Sequence, residues 1–457
     1  MMDKLKTDRK RNEYKNEIVK HLVSRNLKAF RETFLELHPT DQVELFHEIE
    51  RPLQKQVLLF LSPAEFADLF EGLDLEDQLI VFEGLSYQYA VSMFNTMSAD
   101  DVADFLAEIN TERADDILSS MDLEEAKRVE ELMAYAPKTA GAIMTKEFVR
   151  LSVESSAKEV IAELRESAPD AETIYYLYVV DQQQKLAGVV SLRDLIIATP
   201  EMTVEDIMST QVVSVSENED QEDVARLIKE YDFLAVPVVT PEKRLVGIIT
   251  VDDVIDVLEE ETTEDFDEFA ATRGATDLSL TAVTAARKRA PWLILLMFFG
   301  LITANIIGQF ESTLEQVVLL AAFMPLIMGT AGNTGTQSLA VAVRGIATGS
   351  FDRGGVWKTV KRELGTGIIL GLVCMVVLMG IIYVFYNGDF ILAFTVGFSL
   401  FAALSVAAVI GATVPVAINK LKIDPAVASG PFITTLNDII SLMIYFTIAT
   451  TLLDQLL

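Results

Sequence analysis

Residues 430–446 read GPFITTLNDIISLMIYF, part of an apolar run from about 426 to 453 that carries one carboxylate, Asp438. A charged side chain at mid-bilayer costs about 2.5–3.5 kcal/mol even on the gentlest insertion scales. The run therefore reads as a membrane span whose acid faces protein or a water-filled path. Thr434, Asp438, Ser441 and Tyr445 are spaced four, three and four residues apart, so they share one helical face. Pro425 and Pro431 precede that face, and Asp424 marks its cytoplasmic mouth.

Four further apolar segments lie upstream, at roughly 290–310, 317–346, 364–386 and 391–418. Each holds about 20 residues or more, enough to cross ~30 Å of hydrocarbon. Arg287, Lys288 and Arg289 precede the first; Arg344, Arg353, Lys358, Lys361 and Arg362 follow the second; Lys420 and Lys422 follow the fourth. The loops GQFESTLE and NGDF carry no Lys or Arg. The positive-inside rule then predicts a multi-pass protein of the cytoplasmic membrane, with the N-terminus inside and the C-terminus outside. The first twenty residues are charged throughout, so no signal peptide is expected. Five spans cannot be two equal inverted repeats, and one chain gives little width for an ion path. An oligomer with the path near its axis is expected.

The chain of 457 residues is 51% hydrophobic yet has a formal charge of −31. Residues 287–457 hold 10 Lys+Arg against 8 Asp+Glu, which leaves 27 against 60 in the rest. An acidic soluble half thus precedes an apolar half. Such an acidic surface attracts cations and disfavours nucleic acid as a partner. A single cysteine, Cys374, excludes a disulfide framework. The three histidines, His21, His38 and His47, all lie near the N-terminus, which argues against zinc and against Cys/His hydrolytic chemistry. No enzyme is expected.

Residues 38–133 divide into twelve-residue units, among them SPAEFADLFEGL and SADDVADFLAEI, each ending in Ile, Leu or Met. Ser62, Asp74, Ser86, Ser98, Asn110 and Asp122 open units with helix-capping residues, and Ser62 with Glu65 or Ser98 with Asp101 has capping-box spacing. Residues 1–135 are read as a superhelix of short helices, an α-helical repeat domain.

Residues 136–257 are richer in Val and Ile and repeat once: YVVDQQQKLAGVVSLRDLI answers to VPVVTPEKRLVGIITVDDVI. Each copy reads strand, helix, two strands, helix. The α/β pair resembles tandem CBS domains. That resemblance implies adenine nucleotide binding, ATP included, at Ser191 with Asp194 and Thr250 with Asp253, where a carboxylate can accept ribose hydroxyls beside a helix N-terminus. A single acidic helix, 258–286 in the domain division, is expected to connect this pair to a transmembrane domain, 287–457. Like charges at Glu259, Glu260, Glu261, Glu264, Asp265 and Asp267 call for a cation nearby.

The second apolar segment contains MPLIMGTAGNTGTQS, residues 324–338, with Pro325 and Gly329, Gly332 and Gly335. Proline and spaced glycines are expected to weaken the helix and free carbonyls; close packing through small residues is the other reading. No Lys follows Gly335, so it is no phosphate loop.

PLIMGTAGNTGTQS and DPAVASGPFITTLNDIISLMIYF, preceded by the acidic helical domain, the CBS pair and the connecting helix, resemble the MgtE family of magnesium channels or transporters. The resemblance spans essentially the whole chain. It implies a homodimer in the lipid membrane with a pore between two membrane domains, lined by Gly329, Gly332, Asn333, Gln337, Ser441 and Tyr445. Mg2+ is then selected at Asp438, with Asp424 at the mouth and carbonyls near Gly430 and Thr434. One carboxylate per subunit plus carbonyls suits an ion that keeps its waters. The resemblance also implies regulatory Mg2+ at Asp220, Glu222, Asp253, Asp256, Glu261, Glu264 and Asp265, with Asp101 and Asp104 as further candidates, closing the connecting "plug" helix on the pore. Two other readings stand beside it. The same architecture conducting Co2+ or Mn2+ is disfavoured by oxygen-only donors, and a membrane-anchored nucleotide sensor has no need of Asp438.

Overall fold

The computed structural model describes residues 8–167, 171–272, 274–276, 280–347, 355–421 and 429–452. The chain divides into two units, Met1–Leu258 and Glu259–Leu457.

The first unit opens with α1 (Asp8–Val23) and α2 (Leu27–Phe34). Eight short helices follow: α3 (Pro39–Glu48), α4 (Arg51–Phe60), α5 (Pro63–Glu71), α6 (Leu75–Phe82), α7 (Tyr87–Phe94), α8 (Ala99–Glu108), α9 (Thr111–Leu118) and α10 (Leu123–Met133). Their first residues fall every twelve positions, as the sequence rhythm requires. The Ser62 box is complete: its hydroxyl caps the Glu65 N–H, and the Glu65 carboxylate accepts from the Ser62 N–H at 2.9 Å. Ser98 departs from the pattern, because its hydroxyl turns to the Asp101 carboxylate and makes no cap bond. Buried aromatic residues, including Phe46, Phe66, Phe70, Phe94 and Phe105, fill the superhelix. Edge-to-face pairs such as Phe70 with Phe105, 5.2 Å between centroids, add specificity to the burial.

The CBS-type pair follows as β1 (Phe148–Ser152), α11 (Ala157–Ser167), β2 (Thr173–Val180), β3 (Leu186–Ser191) and α12 (Leu192–Ile197), then α13 (Val204–Ile207), β4 (Val215–Ser216), α14 (Gln221–Tyr231), β5 (Ala235–Val239), β6 (Leu245–Thr250) and α15 (Val251–Phe269). Its two three-stranded sheets share one topology, order β1-β2-β3 and β4-β5-β6, with a parallel then an antiparallel pairing in each. The β5 burial pattern is continuous, which is why its sequence AVPVV lacks alternation.

The connecting helix is shorter than expected. α15 stops at Phe269; Ala271 and Gly274 take positive φ, 57° and 69°, and a new helix, α16 (Ala282–Gln309), starts after the Thr281 cap. The helix ends where Ala271 turns left-handed and the Thr272 N–H returns to the Asp267 carbonyl. The Asp267 carboxylate braces this turn by accepting the hydroxyls of Thr272 at 2.6 Å and Thr276 at 2.7 Å. Lys288 and Arg289 donate to the carbonyls of Gly274 and Ala275 at 3.1 and 2.6 Å.

The second unit continues with α17 (Glu311–Gln316), α18 (Leu319–Ala347), α19 (Val356–Phe385), α20 (Phe390–Lys420) and α21 (Gly430–Thr451). α16, α19, α20 and α21 are long and apolar enough to cross a membrane. α18 has the length, 29 residues, but its Gly, Thr, Asn and Gln make it more polar. α20 is the most buried of these helices and α16 the least. Leu320, Ile327, Leu404, Leu442, Tyr445 and Phe446 belong to the central core.

Candidate functional site

Pro431 in the first turn sets the start of α21, and Gly430 is buried there. The Gly430 carbonyl accepts the Thr434 hydroxyl at 2.9 Å, and that hydroxyl lies 3.1 Å from the Thr336 hydroxyl of α18. One turn on, Asp438 is half-buried, and its Oδ1 is sealed from solvent with no hydrogen-bond partner. Gly332 faces it: a Cβ added there would sit 3.6 Å from Oδ1. A buried carboxylate oxygen without a donor is costly, and a species supplying positive charge would relieve it. On α18, Gly329, Asn333 and Gln337 recur every four residues and are exposed in this single chain. Amide side chains on the outside of a membrane helix do not suit lipid.

Several expectations change here. α18 is one continuous helix through Pro325 and its glycines, not a broken one. The glycines serve packing instead. A Cβ on Gly332 would lie 2.7 Å from Thr434 Cγ2, the Asn437 amide lies against Gly335, and Gly411 of α20 meets Gly335 from another side. The hydroxyls of Thr330 and Thr334 bond back to the Leu326 and Thr330 carbonyls at 2.6 and 2.9 Å, within the same helix. Ser441 and Tyr445 line no open path. Both are buried; Tyr445 donates to the Leu320 carbonyl at 2.8 Å, and Ser441 to the Asp438 carbonyl at 3.1 Å. Asp424 lies outside the described residues.

Glu363 was not among the residues singled out from the sequence. It lies on α19, 5% exposed, and accepts the Ser338 hydroxyl of α18 at 3.0 Å and the Arg362 guanidinium at 3.1 Å. It sits just before the apolar window of the third span, where an acid passes for a loop residue. The adjoining Arg362 was the one available signal.

In the first unit the acids gather. Burial, then the charges of Asp101 and Asp253, raises Asp100 well above the usual carboxylate range. Burial followed by repulsion from Asp256 raises Asp101, although part of its surface stays exposed and Ser98 donates to it. Asp253 is raised by burial despite the Thr250 hydroxyl at 2.6 Å, with Asp252 and Asp101 adding repulsion. Glu147 and Glu172 shift the same way, again chiefly by desolvation. Glu71, missed from sequence, is pushed to about 7 by burial and then by Asp101. These groups repel one another in one acidic patch, and a cation would relieve them. Among the described residues no three His, Cys, Asp or Glu side chains form a direct metal cage. An ion held here would keep much of its water shell, as Mg2+ does.

Asp220 caps α14 through the Glu222 N–H at 2.9 Å, and the Glu222 carboxylate pairs with Arg226 at 3.0 Å. Asp256 lies on α15, where its charge reaches Asp101; Glu261, Glu264 and Asp265 lie further along α15, and Asp104 is exposed on α8. At the nucleotide-type positions, Ser191 donates to Asp194 at 2.6 Å and caps α12, just as Thr250 donates to Asp253 before α15.

A helical-repeat and CBS-pair unit joined to a bundle of long apolar helices with an orphaned acid defines a class: multi-pass membrane proteins that handle cations under the control of a soluble domain. Comparison with known proteins agrees. The MgtE divalent cation transporter domain matches residues 324–448, the MgtE intracellular N domain 37–138, and CBS domains 140–201 and 204–260. The magnesium transporter MgtE of Bacillus subtilis (strain 168) is 43% identical over 430 residues, covering 94% of this chain and 95% of that protein. Among solved structures, the soluble part of a magnesium transporter covers 55% of this chain and 99% of its own at 38% identity and TM-score 0.52. The cytosolic domain of the Mg2+ channel MgtE in complex with ATP covers 53% and 99% at 39% identity and TM-score 0.51. The chain belongs to the MgtE family.

Proposed function

We propose that this protein carries Mg2+ across the cytoplasmic membrane as a homodimer, and that Mg2+ bound to its acidic soluble unit closes the path. The observation that carries the reading is Asp438 Oδ1, buried in the membrane unit without a donor and opposite a glycine. Two such carboxylates, one per copy, balance a charge of +2, and Thr434, Thr336 and Gly430 supply neutral oxygens nearby. The exposed amides of Asn333 and Gln337 then face the partner copy or the path rather than lipid. Oxygen donors alone suit Mg2+ and Mn2+ alike and offer no thiolate or imidazole for later transition metals. The name of the Bacillus subtilis relative is what supports Mg2+ in particular.

In the soluble unit, Asp101, Asp253 and Asp256, with Glu71, Glu147 and Glu172, repel until a cation bridges them; Asp104, Asp220, Glu222, Glu261, Glu264 and Asp265 extend the acidic surface. A ligand that binds one of two states better shifts the population toward it. The relative solved with ATP supports an adenine nucleotide at Ser191 and Asp194 or at Thr250 and Asp253. The protein acts as a transporter and not as an enzyme, with its N-terminus inside and its C-terminus outside. Mg2+ uptake into liposomes by wild type and Asp438→Ala, at varied Mg2+ on the soluble-unit side, tests all of this. Uptake lost in the variant supports the site, and equal uptake by both proteins overturns it.

A further inference from the structure

The end of α15 is tied to the membrane unit at two places. Asp267, 6% exposed, gathers the hydroxyls of Thr272 and Thr276 while the Thr272 N–H returns to the Asp267 carbonyl at 2.8 Å. Lys288 and Arg289 of α16 hold the carbonyls of the same turn. Two residues past Asp267, the Phe269 side chain packs on Leu339 and Ile433, in a cluster completed by Val343, Val414, Ile418 and Phe432. These side chains belong to α18, α20 and α21, the helices that frame Gly430 and Thr434. The Phe269 carbonyl itself comes within 3.6 Å of where a Gly430 Cβ would be.

We infer that Phe269 and Asp267 are positioning residues of the closed state: Phe269 is a wedge seated at the mouth beside Gly430, and Asp267 is the latch that holds it there. The inference rests on the gated reading above and names the parts that execute it. Asp267 is buried and bonded to two hydroxyls. Its work is to fix the last turn of α15, and that turn carries the Phe269 ring, inserted among the three pore-framing helices. Opening the mouth requires the ring to leave the notch, and the latch opposes that.

Bonds to a charged acceptor are roughly twice as strong as neutral ones, so losing both shifts a two-state gate by about tenfold or more. Mg2+ flux into liposomes is measured for the full chain against Mg2+ on the soluble-unit side. Asp267→Ala and Phe269→Ala are expected to raise the closing concentration about tenfold while leaving flux at zero regulatory Mg2+ unchanged. Asp267→Asn keeps an oxygen for both threonines and is expected to close close to the wild-type concentration. Thr272→Val, which keeps shape and removes one hydroxyl, is expected to fall between, and it stands in where Asp267→Ala fails to fold. Wild type that closes while the Ala and Val variants close at its own concentration overturns the latch alone. Wild type insensitive to regulatory Mg2+ overturns the gated reading and the latch together.

Discussion

Gly332→Ala tests the packing around Asp438 with a single methyl. A Cβ at Gly332 lies 2.7 Å from Thr434 Cγ2, whereas the rest of its surroundings, Asp438 Oδ1 and Thr434 Cβ, begin at an ordinary 3.6 Å. Carbon atoms prefer roughly 3.5–4.0 Å, so α18 and α21 must part or Thr434 must turn; such overpacking costs about 1–3 kcal/mol. Turning Thr434 would disturb its bonds to Gly430 and Thr336, so flux should fall together with stability. Gly380→Ala on α19, outside the proposed path, meets nothing within 4 Å and serves as the control. Thr434→Ser removes the offending methyl and keeps the hydroxyl, so the double variant Gly332→Ala with Thr434→Ser should regain most of the loss. Thermal unfolding in detergent and Mg2+ flux in liposomes, run as a double-mutant cycle, read the coupling directly. Equal effects of the two Gly→Ala changes, or no recovery in the double variant, would refute the close approach of these helices.

Glu363→Ala strands the buried Ser338 hydroxyl and releases Arg362, so it should lower thermal stability more than Glu363→Gln, which keeps an acceptor; an unpaired buried group costs about 1–3 kcal/mol. Equal melting of the two variants would deny the bond a role. Glu71 titrates near 7 in the folded protein against a usual 4.5, so the folded state binds the extra proton between those values and stability falls as pH rises through that window. In Mg2+-free buffer the protein should melt higher at pH 5 than at pH 7.5, and Glu71→Gln should flatten the difference; a melting point that rises with pH contradicts the burial of these acids. Ser62→Ala should cost about 1 kcal/mol through the lost capping box, whereas Ser98→Ala should cost less at its cap, since Ser98 makes no side-chain cap bond. Chemical denaturation with matched slopes separates the two.

The superhelix, the CBS-type repeat and the five long apolar helices were legible because their signals are local. An N-cap residue and a terminal Ile, Leu or Met, repeated every twelve positions, name the helix starts from Pro39 to Leu123 without reference to anything distant. Asp438 was legible for the same reason, as one charge in an apolar run. The misreadings occurred where a local pattern had two tertiary outcomes. Gly332 and Gly335 are spaced alike for a broken helix and for a close-packed one, and only Thr434 and Asn437, about a hundred residues on, decide for packing. α15 has no proline to end it; it ends at the left-handed Ala271, in a turn that Asp267 braces through Thr272 and Thr276.

Tyr445 makes the distinction sharpest. Helical spacing places it correctly on the face of Asp438, yet its hydroxyl reaches the Leu320 carbonyl of α18 and its ring is fully buried, while Asp438 Oδ1 finds no partner at all. Which face a residue occupies is a property of its own helix. Whether that face meets water, protein or an ion belongs to the neighbours, and along α21 the answer changes within two turns. The same helix face is therefore a structural seam at Tyr445 and a candidate cation site at Asp438, and the absence of a donor is what separates them. On that reasoning, adding a permanent donor should be as damaging as removing the acid. Gly332→Ser would place a hydroxyl toward Oδ1 and supply the hydrogen bond that the carboxylate lacks. It should reduce Mg2+ flux more than Gly332→Ala does in the Thr434→Ser background, where both side chains have room. Equal flux from the two would mean that the unpaired oxygen is incidental to transport.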